Sequence, residues 1–137
     1  IGGTTTDIVV MSDSGMIVDR RALRTGALSV VSDIQRSICQ ELNYNAITHT
    51  DAITAACTKM FGRVDVSSSV EPYLSKFQDE ILHHVDQIKK NCGIRESFFV
   101  VGGGANFLRD RLDSQGFIPE QPELSLARGL IKMSLGF

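Results

Sequence analysis

The spacing of apolar and polar positions changes period several times along the chain, and each change marks an element. Thr5–Met11 is β-branched and apolar, which predicts a strand. Ser12-Asp13-Ser14-Gly15 gathers turn residues, and Met16–Thr25 predicts the return strand of a hairpin. Gly26 then breaks the pattern. From Ser29, the residues Val30, Val31, Ile34, Ile38 and Leu42 share one helical face, which Asn43–Asn45 ends. Thr50 is placed to cap a second, short helix carrying Ile53, Ala56, Cys57 and Met60 and closed by Gly62.

The longest periodic stretch follows. Ser67-Ser68-Ser69 offers caps, Glu71 stands at capping-box distance from Ser68, and Pro72 fits a first turn. Val70, Tyr73, Leu74, Phe77, Ile81, Leu82, Val85 and Ile88 make one apolar stripe down to Cys92-Gly93. Ser97–Val101 predicts a compact buried strand, and Gly102-Gly103-Gly104 follows it. A helix is expected from about Ala105 to Asp113, a short strand near Gly116–Ile118, and a last helix from about Pro122 to Leu135. Strands alternating with helices, without repeats or an internal linker, predict an α/β layer fold in one domain over residues 1–137.

Composition narrows the partners. Fourteen basic against sixteen acidic residues exclude a broad electrostatic footprint for nucleic acid. Arg20, Arg21 and Arg24 read as the protective charge of a solvated strand edge, with a local basic patch as the alternative. Cys39, Cys57 and Cys92 are odd in number and lack C-x-x-C spacing, which fits a reducing cytosol rather than a disulfide or zinc framework. Two of them sit at helical core spacing, as small apolar residues. No apolar run reaches membrane-span length and no signal peptide is visible. A start at Ile1, with two glycines directly behind it, reads as a cut within a longer protein.

Two glycine-rich segments carry candidate chemistry. Gly2-Gly3-Thr4-Thr5-Thr6-Asp7 runs straight into a strand. Adjacent glycines let backbone approach a phosphate closely, consecutive N–H groups form an anion nest, and Thr4 and Thr5 add hydroxyls. Asp7 can hold a metal-bound water or orient an attacking one. The plainer alternative is a tight turn followed by ordinary strand threonines. Phe98–Asn106 is a buried strand whose glycines open a helix, a place that can receive a base, ribose or phosphate. Its spacing is neither the dinucleotide fingerprint nor a P-loop. His83-His84 lies on the long helix without a third ligand at a recognisable spacing. Asp79, Glu80, Asp110 and Asp113 read as solvated helix faces.

Taken together, a G-G-T-T-x-D hairpin about a hundred residues before an apolar strand and G-G-G-A helix start resembles the actin, heat-shock chaperone and sugar-kinase superfamily. Within it, Pro122…Ala127-Arg128-Gly129-Leu130 is similar to the closing helix of plasmid-segregating bacterial actins of the ParM/StbA type. The resemblance covers essentially the whole chain. It implies an RNase H-like α/β domain, a mixed sheet flanked by helices, as the second half of an actin-type ATPase.

By that resemblance Gly2, Gly3 and Thr4 contact the β- and γ-phosphates of ATP or ADP through backbone N–H, with Thr5 beside them. Thr6 and Asp7 flank the attacking water or the Mg²⁺ shell, Asp7 being the metal-linked carboxylate. Gly26 lies beside the ribose, and Gly102, Gly103, Gly104, Ala105 and Asn106 pass under the adenosine. Two departures stand out. The family's motif opens with an Asp before the glycines, which this sequence does not contain, and Ala55, Ala56 and Thr58 stand where related actins place Glu and Lys, leaving Lys59 as a substitute.

The resemblance further implies a filament-forming cytoplasmic ATPase whose intact form includes an N-terminal half. It would pair with itself and move plasmid DNA through a separate DNA-binding adaptor, touching neither nucleic acid nor membrane directly. A chaperone-like or reactivating-factor ATPase, a small-molecule kinase and a non-catalytic interaction module remain open. In such proteins a further strand separates the hairpin from the strand at Ser97–Val101. Those two strands are therefore not expected to pair, and the strand between them is expected from a neighbouring copy, a separate piece of the parent or residues outside this sequence; the alternative is that the hairpin closes directly onto Ser97–Val101 in a rearranged sheet.

Overall fold

The computed structural model describes residues 1–93, 97–112 and 116–135. The hairpin forms from Thr6–Met11 (β1) and Ile17–Leu23 (β2), antiparallel from Thr6 opposite Leu23 to Met11 opposite Ile17. Alternation sets its faces: Thr6 and Val10 are buried, whereas Asp7, Val9 and Met11 are exposed.

Ala27–Leu42 (α1) buries the anticipated Val30, Val31, Ile34 and Ile38 and ends at Asn43 in the left-handed region, φ 56°. Its N-cap, Gly26, provides no side chain. The Ala27 and Leu28 N–H groups donate instead to the carbonyls of Gly2 (3.0 Å) and Gly3 (2.8 Å), so the glycine loop serves as the cap.

His49–Thr58 (α2) begins earlier than expected. Thr48, not Thr50, is the N-cap, and it makes a reciprocal capping box with Asp51. Ala52, Ala55 and Ala56 face inward, while Ile53, Cys57 and Met60, expected on the apolar face, are exposed. Small residues on the inner face let α2 lie close against α1. Lys59 closes α2 in the left-handed region, φ 61°, and Met60–Phe61 (β3) and Val64–Asp65 (β4) form a minimal hairpin around Gly62.

Ser67–Cys92 (α3) departs from the expected caps. Val66 is the N-cap and contributes no side-chain bond; the Ser67 N–H donates to the Asp65 carboxylate at 2.8 Å. The Ser68 and Ser69 hydroxyls donate to Glu41 on α1, and Glu71 pairs with Lys59 at 3.5 Å. Pro72 falls in the second turn, where its missing N–H deprives the Ser68 carbonyl of its helical donor. The apolar stripe holds: Val70, Leu74, Phe77, Ile81 and Ile88 are buried against α1 and the later segments, although Tyr73 is exposed.

Phe98–Phe99 (β5) and Gly116–Phe117 (β6) pair in parallel. Between them Ala105–Arg111 is a 3-10 helix rather than an α-helix, and Asp113 lies outside the described residues. A 3-10 turn at Pro122–Leu124 leads into Ser125–Ser134 (α4), which buries none of its residues. The core joins α1, α2, α3 and the 3-10 helix through Ile34, Ile38, Ala52, Ala55, Val66, Val70 and Leu108.

Among the described residues β1 pairs with β2 alone and β5 with β6 alone, as the expected separation requires. Between β1 and the Ser97–Val101 segment lies a cavity of about 520 Å³, which Ile81, Val85 and Ile88 of α3 also line.

Candidate functional site

The glycine segments, far apart in sequence, meet at one junction. The loop before β1 turns through a Gly2 N–H to Thr5 carbonyl bond of 2.9 Å, and its carbonyls turn inward onto the start of α1. The Ile1 carbonyl accepts the Gly104 N–H at 3.2 Å, and the Ile1 amino group donates to the Val101 carbonyl at 2.5 Å. Gly102 donates to the Pro122 carbonyl at 2.8 Å.

Side-chain bulk is excluded at three points of this junction. A Cβ at Gly26 would strike the Gly3 carbonyl and the Thr4 backbone. One at Gly102 would strike the Ile1 carbonyl, and one at Gly104 the Ile1 side chain. Gly102 also adopts φ +92°, which L-residues avoid. Gly103 differs, because a Cβ there would meet nothing within 4 Å. Gly26, Gly104 and Ala105 are thus the buried backing of a wall whose exposed surface comprises Gly2, Gly3, Thr4, Thr5, Gly103 and Asn106.

Thr6 and Asp7 point to opposite sides of β1. Thr6 is 2% exposed, and its hydroxyl donates to the Thr25 carbonyl at 2.7 Å, tying β1 to the corner before α1. Asp7 is exposed and pairs with Arg20 across the hairpin at 3.1 Å. An exposed pair of this kind contributes little stability and leaves the carboxylate accessible.

The 3-10 helix is anchored from α3. Gln78 donates to the Phe107 carbonyl at 2.7 Å in a buried setting, and Arg111 pairs with Asp79 at 2.5 Å. Arg109 orients the Asn106 amide oxygen at 2.8 Å. A second cavity, about 230 Å³, lies between α2 and this helix and is lined by Ala56, Cys57, Leu74, Asn106, Phe107, Arg109 and Asp110. Lys59 does not line it; its ammonium donates to the Ala56 carbonyl at 2.9 Å and faces Glu71.

Of the remaining polar candidates some have local partners, whereas the buried His84 Nδ1 has no hydrogen-bond partner among the described residues. Glu80 accepts the Thr25 hydroxyl, Arg21 donates to Gln87, and His83 shares a hydrogen bond with Gln87. Among the described residues no group of three potential ligands could hold a metal on its own. A Mg²⁺ bound with phosphate needs only one or two carboxylates and keeps several waters. Asp7, accessible and next to the loop, fits that requirement.

Sequence reasoning missed two contributors, Ile1 and Gln78. Ile1 gave no signal, since its part is played by backbone groups. Gln78 did give one: it is a polar residue beside the apolar positions Leu74, Phe77 and Ile81.

A family model described as the archaeal actin homologue MreB-like, C-terminal, matches residues 1–114. No curated protein matches the chain. Among solved structures, a non-polymerisable quadruple mutant of pCBH ParM is similar over 100% of this chain and 45% of its own, with 16% identity and a TM-score of 0.75. A 15-stranded ParM filament from Clostridium botulinum is similar over 98% of this chain and 43% of its own, with 16% identity and a TM-score of 0.74. The chain therefore spans less than half the length of these ParM chains. At such identity the likeness shows the fold, an actin-type α/β domain. With the family model covering most of its length, the chain belongs to the MreB-like C-terminal family of actin homologues, within the actin-like ATPase superfamily.

Proposed function

We propose that this chain is the nucleotide-binding half of a filament-forming, actin-like ATPase that segregates plasmid or other DNA. The observation that carries the reading is the glycine junction. It excludes side chains from its backing at Gly26, Gly102 and Gly104 while its outer face stays open at Gly103. A turn or helix cap alone gives no reason for a bare outer face beside an exposed Gly-Gly-Thr-Thr loop. A nucleotide lying against backbone does.

In this reading Gly3 and Thr4 offer backbone N–H groups, and Thr4 and Thr5 hydroxyls, to the phosphates of ATP or ADP, while the Gly2 N–H, turned onto the Thr5 carbonyl, shapes the loop that presents them. Gly102, Gly103, Gly104, Ala105 and Asn106 pass under the nucleoside. Gly26, buried beneath Gly3 and Thr4, sets the approach of α1 to the ribose side rather than touching it. Asp7 holds a water of the Mg²⁺ shell or orients the water that attacks the γ-phosphate. Thr6, with its hydroxyl held by Thr25, positions Asp7 from behind. When bound, Mg²⁺ neutralises charge on the phosphates. The second wall of the cleft comes from the N-terminal half of the intact protein.

Self-association follows the ParM likeness, one of whose members is a filament. The near-neutral charge of the chain suits a cytoplasmic protein that reaches DNA through an adaptor. The test is Gly103→Val in the intact protein, followed by sedimentation with MgATP. Loss of ATP-dependent pelleting with the fold retained supports the reading. Unchanged pelleting reduces the glycines to cap geometry.

A further inference from the structure

Three consecutive residues of α3 reach both glycine segments. Gln78 donates to the Phe107 carbonyl at 2.7 Å, Asp79 pairs with Arg111 at 2.5 Å, and Glu80 accepts the Thr25 hydroxyl. Residues two apart on an α-helix point nearly opposite ways, which is why Gln78 and Glu80 take partners on different segments.

The Glu80 branch ends at the phosphate loop. Thr25 stands at the corner between β2 and α1 and is held twice: its hydroxyl donates to Glu80, and its carbonyl accepts the Thr6 hydroxyl at 2.7 Å. The next residue, Gly26, packs under Gly3 and Thr4, and the first two N–H groups of α1 donate to the Gly2 and Gly3 carbonyls. Close-packed backbone transmits a displacement rather than absorbing it. A shift of Thr25 is therefore passed through Gly26 to the loop.

The Gln78 branch ends at the nucleoside loop. Ala105–Arg111 is a 3-10 helix, whose hydrogen bonds have poorer geometry than those of an α-helix, so its placement depends on outside anchors. Gln78 is 5% exposed and bonds to the carbonyl of the residue after Asn106. The Phe77 ring packs edge-on against Phe107, with centroids 6.3 Å apart. Burying a glutamine amide beside Leu74, Phe77 and Ile81 costs free energy that an apolar residue would not, so the stripe by itself does not call for it.

We infer that Gln78 and Glu80 are positioning residues for the nucleotide. Glu80 holds the phosphate loop through Thr25, Gln78 holds the nucleoside loop through Phe107, and α3 sets the distance between the two. This rests on the nucleotide reading.

The test measures the affinity of the intact protein for MgATP and for AMP, which has neither a β- nor a γ-phosphate. Glu80→Ala should weaken MgATP binding about tenfold and leave AMP binding within about twofold of wild type. Glu80→Gln keeps an acceptor for the Thr25 hydroxyl and should restore MgATP binding, whereas Thr25→Val should repeat the split seen in Glu80→Ala. Gln78→Met, close in shape, should weaken both ligands by a similar factor. Should Gln78→Met fail to fold, the Glu80 and Thr25 variants decide alone. Equal losses of MgATP and AMP in Glu80→Ala, or no loss, would overturn the inference while wild-type binding leaves the nucleotide reading standing. A wild-type protein that binds neither ligand overturns both.

Discussion

The Gly2 carbonyl accepts the Ala27 N–H at 3.0 Å, so the loop before β1 and the first turn of α1 are one structural unit. Gly26 makes this contact possible by leaving room for the Gly3 carbonyl. The prediction is that Gly26→Ala destabilises the chain by about 1–3 kcal/mol, the cost of forcing an extra carbon into packed backbone. Gly102→Ala should cost at least as much, since it adds a φ of +92° to a collision with Ile1. Urea denaturation of each variant measures this. Wild-type midpoints would mean that the junction yields easily.

Gly103 predicts the opposite combination. Its Cβ would meet nothing within 4 Å, so Gly103→Val should leave the unfolding free energy measured in urea within about 0.5 kcal/mol of wild type. Nucleotide binding in the intact protein should nevertheless disappear. A large stability loss at Gly103 together with normal binding would reverse the roles assigned to these glycines.

Thr6 tests positioning. Replacing it with Val keeps the shape but leaves the Thr25 carbonyl without its donor in a part-buried setting, costing about 1–3 kcal/mol. In the intact protein, Thr6→Ser, which keeps the hydroxyl, should restore most ATP hydrolysis that Thr6→Val loses. Asp7→Asn should lose hydrolysis without a comparable loss of stability, because its bond to Arg20 is exposed.

Acid should loosen α2 from its N-terminus. Hydrogen bonds from the Thr48 hydroxyl and N–H hold the Asp51 carboxyl below the ordinary carboxylate range. A depressed pKa contributes stability that is complete above the unfolded value, about 3.9, and is lost as pH falls through the lower folded value. Hydrogen exchange at the first turn of α2 should therefore rise across that interval, and Asp51→Asn should flatten the change. Exchange that is independent of pH below 4, after correction for intrinsic rates, would contradict the capping box.

Most of the fold was legible because hydrophobic period and local caps act over a few residues. Val30, Val31, Ile34 and Ile38 declared α1, and Leu74, Phe77 and Ile81 declared α3, before any tertiary contact was known. Caps that depend on partners elsewhere were not legible. Ser68 and Ser69 looked like N-caps, but Glu41, a distant residue on α1, takes their hydroxyls. The start of α2 was misplaced because Thr48 and Thr50 offer the same chemistry, and the reciprocal bond with Asp51 selects Thr48. Its inner face was misplaced because the small Ala52, Ala55 and Ala56, which pack inward, give a weaker apolar signal than the exposed Ile53 and Met60. At the site, the glycines were visible as composition. Which of them back the wall and which face outward depends on the positions of Ile1 and Ala27, and only the assembled chain shows that.

The central claim is that the exposed glycine wall receives a nucleotide, and a titration of the labelled 137-residue chain with MgATP tests it most directly. These residues supply one wall of the cleft, and each charge-assisted contact from a second wall would be worth about 1.5–3 kcal/mol. The account predicts saturating amide shifts at Gly2–Thr5, Asp7 and Gly102–Asn106, a Kd weaker than about 100 μM and no measurable turnover. Absence of shifts at about 10 mM MgATP, shifts confined to other residues, or a Kd near 1 μM would contradict it.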